Sequence, residues 1–267
     1  MKKIFLAVTV LIGIFSLSAC GLADDDVLRV GMDLSYPPFE TSDDGEPEGI
    51  SVDIAHELGD YLGRDVEIVN TGFGSLIQSL NIGEVDVIIG SMSITEERAQ
   101  SVDFTDPYMY FNIIGLVNAD YGETHGIDSE STSEDVLAIE ETRFTGIADQ
   151  VSAEIPEEFG FEVSEATELD GAVFDVAQGE ADVLMMSAMP VARGHRANSD
   201  STFILYDEFK ESPIGMAVRQ GEDELRESLN EYIAQMEESG VNDRLRENWN
   251  DRLGEIDENF DMDFFLP

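Results

Sequence analysis

Residues Asp86–Tyr110 read DVIIGSMSITEERAQSVDFTDPYMY. The apolar run Val85–Ile89 leads in and stops at Gly90-Ser91-Met92-Ser93, a turn of small and hydroxyl residues. A near-continuously apolar strand suits a parallel sheet covered on both faces. Thr95-Glu96-Glu97-Arg98 then has the character of a helix start. Hydroxyls and free N–H groups gathered at a helix N-terminus form an anion site. Arg98, one turn on, adds a planar fork that fits a carboxylate. On spacing alone, Arg98 serves equally well in a surface ion pair with Glu96, Glu97 or Asp103.

Reading outward from this stretch gives the fold class. Leu28–Met32 is a short apolar strand ending at Asp33, and the loop Ser35–Gly49 carries Pro37, Pro38, Gly45 and Pro47, all turn formers. Ile50, Ile54, Leu58 and Leu62 recur at helical spacing. A strand is expected over Val66–Val69, a helix over Phe73–Ile82 and a third strand over Val85–Ile89. This βαβαβ order implies an open α/β sheet with right-handed crossovers. Ligands bind such sheets beyond the C-terminal ends of the strands, which here are Asp33–Tyr36, Asn70–Phe73 and Gly90–Ser93.

Ile113–Val117 reads as a strand leaving the first unit, and Tyr121–Glu134 as a polar loop. A second α/β pattern follows: strand Val136–Ile139, helix from about Thr145, strand Phe161–Val163, helix Leu169–Gln178, strand Val183–Met186, helix Val191–Ala197 and strand Phe203–Leu205. Glu208–Pro213 reads as a return crossing, Ile214–Val218 as a last strand and Glu222–Trp249 as a helix pair. GEVDV (Gly83–Val87) and GEADV (Gly179–Val183) repeat one pattern in the two halves. Glycine after a helix is a common stop, so the repeat reads as turn chemistry.

The first 19 residues have a basic start at Lys2 and Lys3 and an apolar run over Ile4–Phe15. The run is too short to span a bilayer and ends in small residues, as a signal peptide does. Leu17-Ser18-Ala19-Cys20 has the look of a lipobox, which would make Cys20 a lipidated first residue followed by a tether over 20–27. Cys20 is the only cysteine in the chain, which leaves no disulfide. Without Lys2 and Lys3 the chain keeps 12 basic against 58 acidic residues, a net charge of −46. Nucleic acid is excluded as a partner, since phosphate binding needs a positive footprint. The 42% hydrophobic content with periodic segments argues for a folded body rather than an acidic disordered one. Strong salt screens such self-repulsion, so a halophilic setting is expected.

Five blocks in order resemble the extracytoplasmic solute-binding proteins of the polar amino acid type, solute-binding protein family 3. They are LRVGMDLSYPPFE, GISVDIAHELGDYLG, GSLIQSLNIGEVDVIIG, SITEERAQSVDFTDPYMY and the stretch Pro213–Trp249. The resemblance implies a two-lobed fold of the type II periplasmic-binding-protein kind, with open mixed sheets joined by two hinge strands. Lobe 1 is expected over 28–117 and 209–251, lobe 2 over 118–208, and a C-terminal tail over 252–267. It implies a monomeric extracytoplasmic receptor that hands a small solute to the permease of an ABC importer, with no cofactor and no catalysis.

The resemblance also assigns roles. Arg98 and Ser93 would hold a ligand carboxylate, Gly90 and Ser91 its amine. Tyr36 and Phe73 would wall the site with aromatic faces, which also suit a cation. Asp33 would reach a basic ligand side chain, as it does in some relatives, with Glu40 a weaker candidate. The second lobe departs from the pattern. Ser187 stands where relatives place an aspartate against the ligand ammonium, and Thr142-Arg143 stands near a small hydroxyl turn. Arg143 offers a second anion contact, or is a surface arginine among acids. Two cationic groups without the aspartate favour a carboxylate-bearing solute: a dicarboxylate, an acidic amino acid or a compatible solute. The alternatives are a dehydratase-like enzyme on the same scaffold and a ligand-sensing module. His56, His125 and His195 do not form a catalytic pattern, and no HExxH, GxSxG or P-loop occurs.

Overall fold

The computed structural model describes residues 26–148 and 150–267. The expected signal peptide and Cys20 lie outside them. In chain order, β1 (Val27–Met32) leads through the hairpin β2 (Thr41–Asp43) and β3 (Glu46–Glu48) to α1 (Ile50–Leu62). β4 (Asp65–Asn70), α2 (Leu76–Asn81), β5 (Val87–Ile88) and β6 (Asp103–Tyr110) complete the first passage. The second unit runs β7 (Ile113–Asn118), α3 (Ala119–His125), α4 (Ser133–Leu137), β8 (Phe144–Ile147), α5 (Val151–Glu158), β9 (Val163–Ala166), α6 (Leu169–Gln178), β10 (Val183–Ser187), α7 (Ala188–Ala197) and β11 (Thr202–Lys210). β12 (Pro213–Val218), α8 (Asp223–Gln235) and α9 (Val241–Ile256) return to the first.

Two five-stranded sheets result, ordered β4-β1-β5-β12-β6 and β11-β7-β10-β8-β9. In the first, β1 pairs in parallel with β4 and β5, while β12 runs antiparallel between β5 and β6. In the second, β8 pairs in parallel with β9 and β10, while β7 runs antiparallel between β10 and β11. The chain crosses between lobes twice, at Phe111–Asn112 and at Glu211–Ser212. Lobe 1 was expected to extend to residue 117, but β7 belongs to the second sheet.

The chain from 119 to 147 differs most from expectation. Ala119–His125 is a helix capped by the Asn118 side chain, and Val136–Ile139, expected as a strand, falls in the end of α4 and the turn after it. The Thr132 hydroxyl accepts the Asp135 N–H at 3.2 Å and the Asp135 carboxylate accepts the Thr132 N–H at 2.9 Å. This reciprocal capping box commits the segment to a helix, and a short apolar run does not by itself discriminate helix from strand. The strand lies instead at Phe144–Ile147, where a helix was expected to begin, and the next strand starts at Val163 rather than Phe161.

The tail has a place in the core. Phe260, Met262 and Phe265 are buried. Phe265 meets Phe39 edge-on at 5.1 Å and Phe111 at 5.9 Å, and its carbonyl accepts the Tyr110 N–H at 2.8 Å. These rings fill the space beside the first crossing. One apolar cluster therefore runs from Val30 and Leu58 in lobe 1, through Phe39, Phe111 and Phe265, to Leu184 and Val191 in lobe 2.

The two GExDV repeats mark a matched pair of clamps. In lobe 1 the Arg29 Nε and Nη2 donate to the Asp86 carboxylate at 3.1 and 2.6 Å, and Nη1 donates to the Gly83 carbonyl at 2.7 Å. In lobe 2 the Arg143 Nε and Nη2 donate to Asp182 at 3.0 and 2.5 Å, with further bonds to the carbonyls of Glu180 and Gly179. Each arginine comes from a strand or its threshold, forks onto the aspartate that opens the neighbouring strand, and satisfies carbonyls left free at a helix end.

Candidate binding cleft

The loop from Asp33 to Glu40 is docked on the start of α1. The Pro38 and Phe39 carbonyls accept the N–H groups of Ile50 and Ser51 at 3.1 and 2.9 Å, two donors the helix cannot satisfy itself. Gly49 makes this possible, because a Cβ there would sit 2.1 Å from the Phe39 carbonyl oxygen. Docking turns Tyr36 towards lobe 2 and Glu40 inward. The Glu40 Oε1 accepts the Ser51 hydroxyl at 2.5 Å, and the Ser91 Oγ lies 2.7 Å from Oε1 and 2.8 Å from Oε2. Glu40 is 1% exposed. Burial pushes its carboxyl up to about 8, partly offset by the Ser51 and Ser91 hydroxyls, with the Asp33 charge adding a further rise. Asp33 holds the neighbouring strand end: its carboxylate accepts the Phe73 N–H at 2.7 Å and the Ser35 hydroxyl at 2.6 Å.

At the opening turn, Ser91 is left-handed with φ 50°, which is uncommon and strained for a residue with a side chain. A Cβ at Gly90 would meet its neighbours at ordinary distances of 3.5 Å or more, so close approach does not require glycine there. The Ser93 hydroxyl lies 3.0 Å from that of Ser212 on the second crossing. Arg98 opens a single 3-10 turn, Arg98–Gln100, rather than standing one turn into a helix. Its Nη1 donates to the Ser93 carbonyl at 2.8 Å and its guanidinium lies 5.2 Å from the Phe73 ring centre. No acidic side chain among the described residues lies within ion-pair distance of it. Burial without a partner lowers its pKa, with Glu97 opposing weakly.

Lobe 2 offers hydroxyl and apolar surface. Ser187 stands just before α7, with its Oγ 3.3 Å from the Tyr36 hydroxyl. Val151, at the start of α5, faces the same space. A cavity of about 310 Å³ lies between the lobes, lined by Asp33, Tyr36, Glu40, Phe73, Ser91 and Ser187 among others. Gly90 and Ser93 line it too, and Arg98 sits behind Ser93 and Phe73.

Two expected site residues do not join them. Arg143 is held by Asp182 and the carbonyls of Gly179 and Glu180. Thr142 is buried with its hydroxyl 2.7 Å from that of Tyr121. Both precede β8, whereas cleft residues follow strand ends, so the displaced strand explains the misplacement. The cleft also takes in Phe111, Ile113 and Ser212, from the two crossings. The return crossing read at Glu208–Pro213 is the signal that could have found Ser212.

Residues 28–252 match the bacterial extracellular solute-binding proteins, family 3. The chain belongs to that family. As a solute-binding protein it is similar to the arginine-binding extracellular protein ArtP of Bacillus subtilis, 26% identical over 257 residues, covering 93% of this chain and 98% of that one. It is 27% identical over 259 residues to the histidine-binding periplasmic protein of Salmonella typhimurium, covering 94% and 98%. Among solved structures, the binding component of an ABC transporter from Wolinella succinogenes complexed with lysine superposes with a TM-score of 0.66 at 26% identity, covering 84% and 96%. The fold is that of the type II periplasmic binding proteins. The family is an extracytoplasmic one, and no helix among the described residues is long and apolar enough to cross a membrane.

Proposed function

We propose that this solute-binding protein is a lipid-anchored receptor, tethered through Cys20, that captures an amino acid or close relative and delivers it to an ABC importer. The observation that carries the reading is the partly buried Arg98 guanidinium with no acidic partner among the described residues, backed by Phe73 and fixed at Ser93. A buried cation without a counter-charge is costly, and a ligand carboxylate removes that cost. With Arg143 committed to Asp182, the argument for a dicarboxylate loses its second cation. Two carboxyl groups, Asp33 and Glu40, line the cleft, and the one guanidinium, Arg98, stands behind its wall at Ser93 and Phe73, which suits a solute carrying both charges. The relatives named for arginine, histidine and lysine point the same way.

The test is titration calorimetry of the mature protein in high salt with L-arginine, L-lysine, L-histidine, neutral amino acids, succinate and glycine betaine. At least one carboxylate-bearing solute binds tightly, and Arg98→Ala weakens it by about 100-fold or more. Equal binding by Arg98→Ala removes the carboxylate anchor and the reading with it.

A further inference from the structure

Side-chain hydrogen bonds join the two lobes at three places among the described residues. One is the Tyr36–Ser187 contact in the cleft. The other two end on a single short segment of lobe 1, where α9 gives way to the tail. Arg196, in the last turn of α7, donates from Nη2 to the Glu255 and Ile256 carbonyls at 2.8 and 2.5 Å. The Tyr206 hydroxyl, on β11, lies 3.0 Å from each oxygen of the Asp257 carboxylate.

The chemistry of a helix end explains the first grip. The last four carbonyls of a helix lack internal partners, and that end of the helix dipole attracts a cation. The last turn of α9 contains no basic residue. Arg196 supplies the cation from the opposite lobe.

The gripped segment itself is fastened to lobe 1. The Met262 N–H donates to the Asn250 Oδ1 at 2.9 Å, the Arg246 Nε to Asp263 at 2.8 Å, and the Phe265 carbonyl accepts the Tyr110 N–H at 2.8 Å. α9 is held to α1 by the Trp249 Nε1, which donates to Asp53 at 2.8 Å. The segment therefore travels with lobe 1, while Arg196 and Tyr206 travel with lobe 2. A cavity of about 620 Å³ runs from Arg196, Glu255 and Ile256 to Tyr36 and Pro38, with no lining residue from either crossing. The Arg196 grip thus stands apart from the two strands about which such lobes rotate.

We propose that the end of α9 and the tail form a clasp that lobe 2 grips through Arg196 and Tyr206, and that these two are positioning residues for solute binding. They favour the closed arrangement without touching the solute. The inference rests on the reading that the solute is captured between the lobes. A contact made only in the closed form enlarges the fraction of molecules ready to bind, and the apparent affinity rises with that fraction. Two of the three side-chain links between the lobes thus act from outside the cleft.

Small-angle scattering of the mature protein without solute, beside calorimetry with the solutes named above, tests this on the wild type, Arg196→Gln, Tyr206→Phe, the double variant, Arg196→Lys and Arg98→Ala. The double variant is expected to show a larger radius of gyration than the wild type and to bind the tightest solute about 10–100-fold more weakly. Arg196→Lys, which keeps a cation at the end of α9, is expected to recover most of the affinity. A merely structural role would lower the melting temperature and leave the scattering curve where it was. Identical scattering of the wild type and the double variant, or unchanged affinity in the double variant, overturns the clasp. Arg98→Ala is expected to lose binding with its scattering unchanged. Full binding by Arg98→Ala, or no binding of any solute by the wild type, overturns the parent reading instead, and the scattering comparison still decides the clasp.

Discussion

The Tyr36 hydroxyl and the Ser187 Oγ meet at 3.3 Å across the cleft, one from the lobe 1 loop and one from the threshold of α7 in lobe 2. Burial pushes the Tyr36 phenol up to about 12, so it stays a neutral donor across the ordinary pH range. The contact ties the lobes together without charge. It favours the closed arrangement by about 1 kcal/mol, the usual net worth of such a bond. Tyr36→Phe and Ser187→Ala are each expected to weaken solute binding about fivefold. The double variant should be no worse than either single one. A double-mutant cycle by calorimetry checks this; additive losses would show that the pair is not coupled.

Arg143→Ala is expected to leave solute affinity unchanged and to lower stability by about 1–3 kcal/mol, since Asp182 is then buried without its partner. Chemical denaturation, read beside calorimetry, separates the two effects. A loss of affinity with intact stability would return Arg143 to the cleft.

That residue shows where sequence reading stopped. Lobe 1 was legible because its apolar runs are long and its turns are rich in glycine and proline, so the ends of β1, α2 and β5 fell close to their expected positions. The cleft residues after those strands followed. In lobe 2 the apolar pair Val136-Leu137 looked like the strand that is in fact Phe144–Ile147. The capping box at Thr132 and Asp135 was the competing local signal. Glu40 was underweighted for a different reason. Its importance lies in contacts with Ser51 and Ser91, 11 and 51 residues away, which no local pattern displays.

Phe265→Ala is expected to cost about 3–5 kcal/mol, the range for emptying a buried aromatic site. The ring touches Phe39 and Phe111, which flank the cleft loop and the first crossing. Removing residues 257–267 should be worse. Thermal melts with and without saturating solute give the measure; an unchanged melting temperature would place the tail outside the folded unit.

The wild type is expected to melt at progressively higher temperature between about 0.1 M and about 3 M KCl, as screening shortens from about 10 Å to below about 3 Å. The driving quantity is the net charge of −46 without Lys2 and Lys3. A flat melting temperature over that range would mean the acidic surface carries little self-repulsion.

Glu40 also gives stability a pH dependence of definite sign. Its carboxyl sits at about 8 when folded against 4.5 as the reference. Between those values the folded state holds the extra proton, so stability falls as pH rises from about 4.5 through about 8. Glu40→Gln lacks that contribution. The variant should gain on the wild type by roughly a few kcal/mol across this window. Denaturation midpoints at pH 5 and pH 8.5 test it; a constant difference would mean Glu40 titrates normally.

The twin clamps of Arg29 with Asp86 and Arg143 with Asp182 sit at or near where their strands begin, and the groups that line the cleft sit where strands finish or where the chain crosses over. Framework and chemistry are thus segregated to opposite rims of each sheet. Replacement of the groups at one rim leaves the fastening of the other untouched. A receptor arranged in this way can be redirected to a new solute by a handful of exchanges, with no redesign of its foundations.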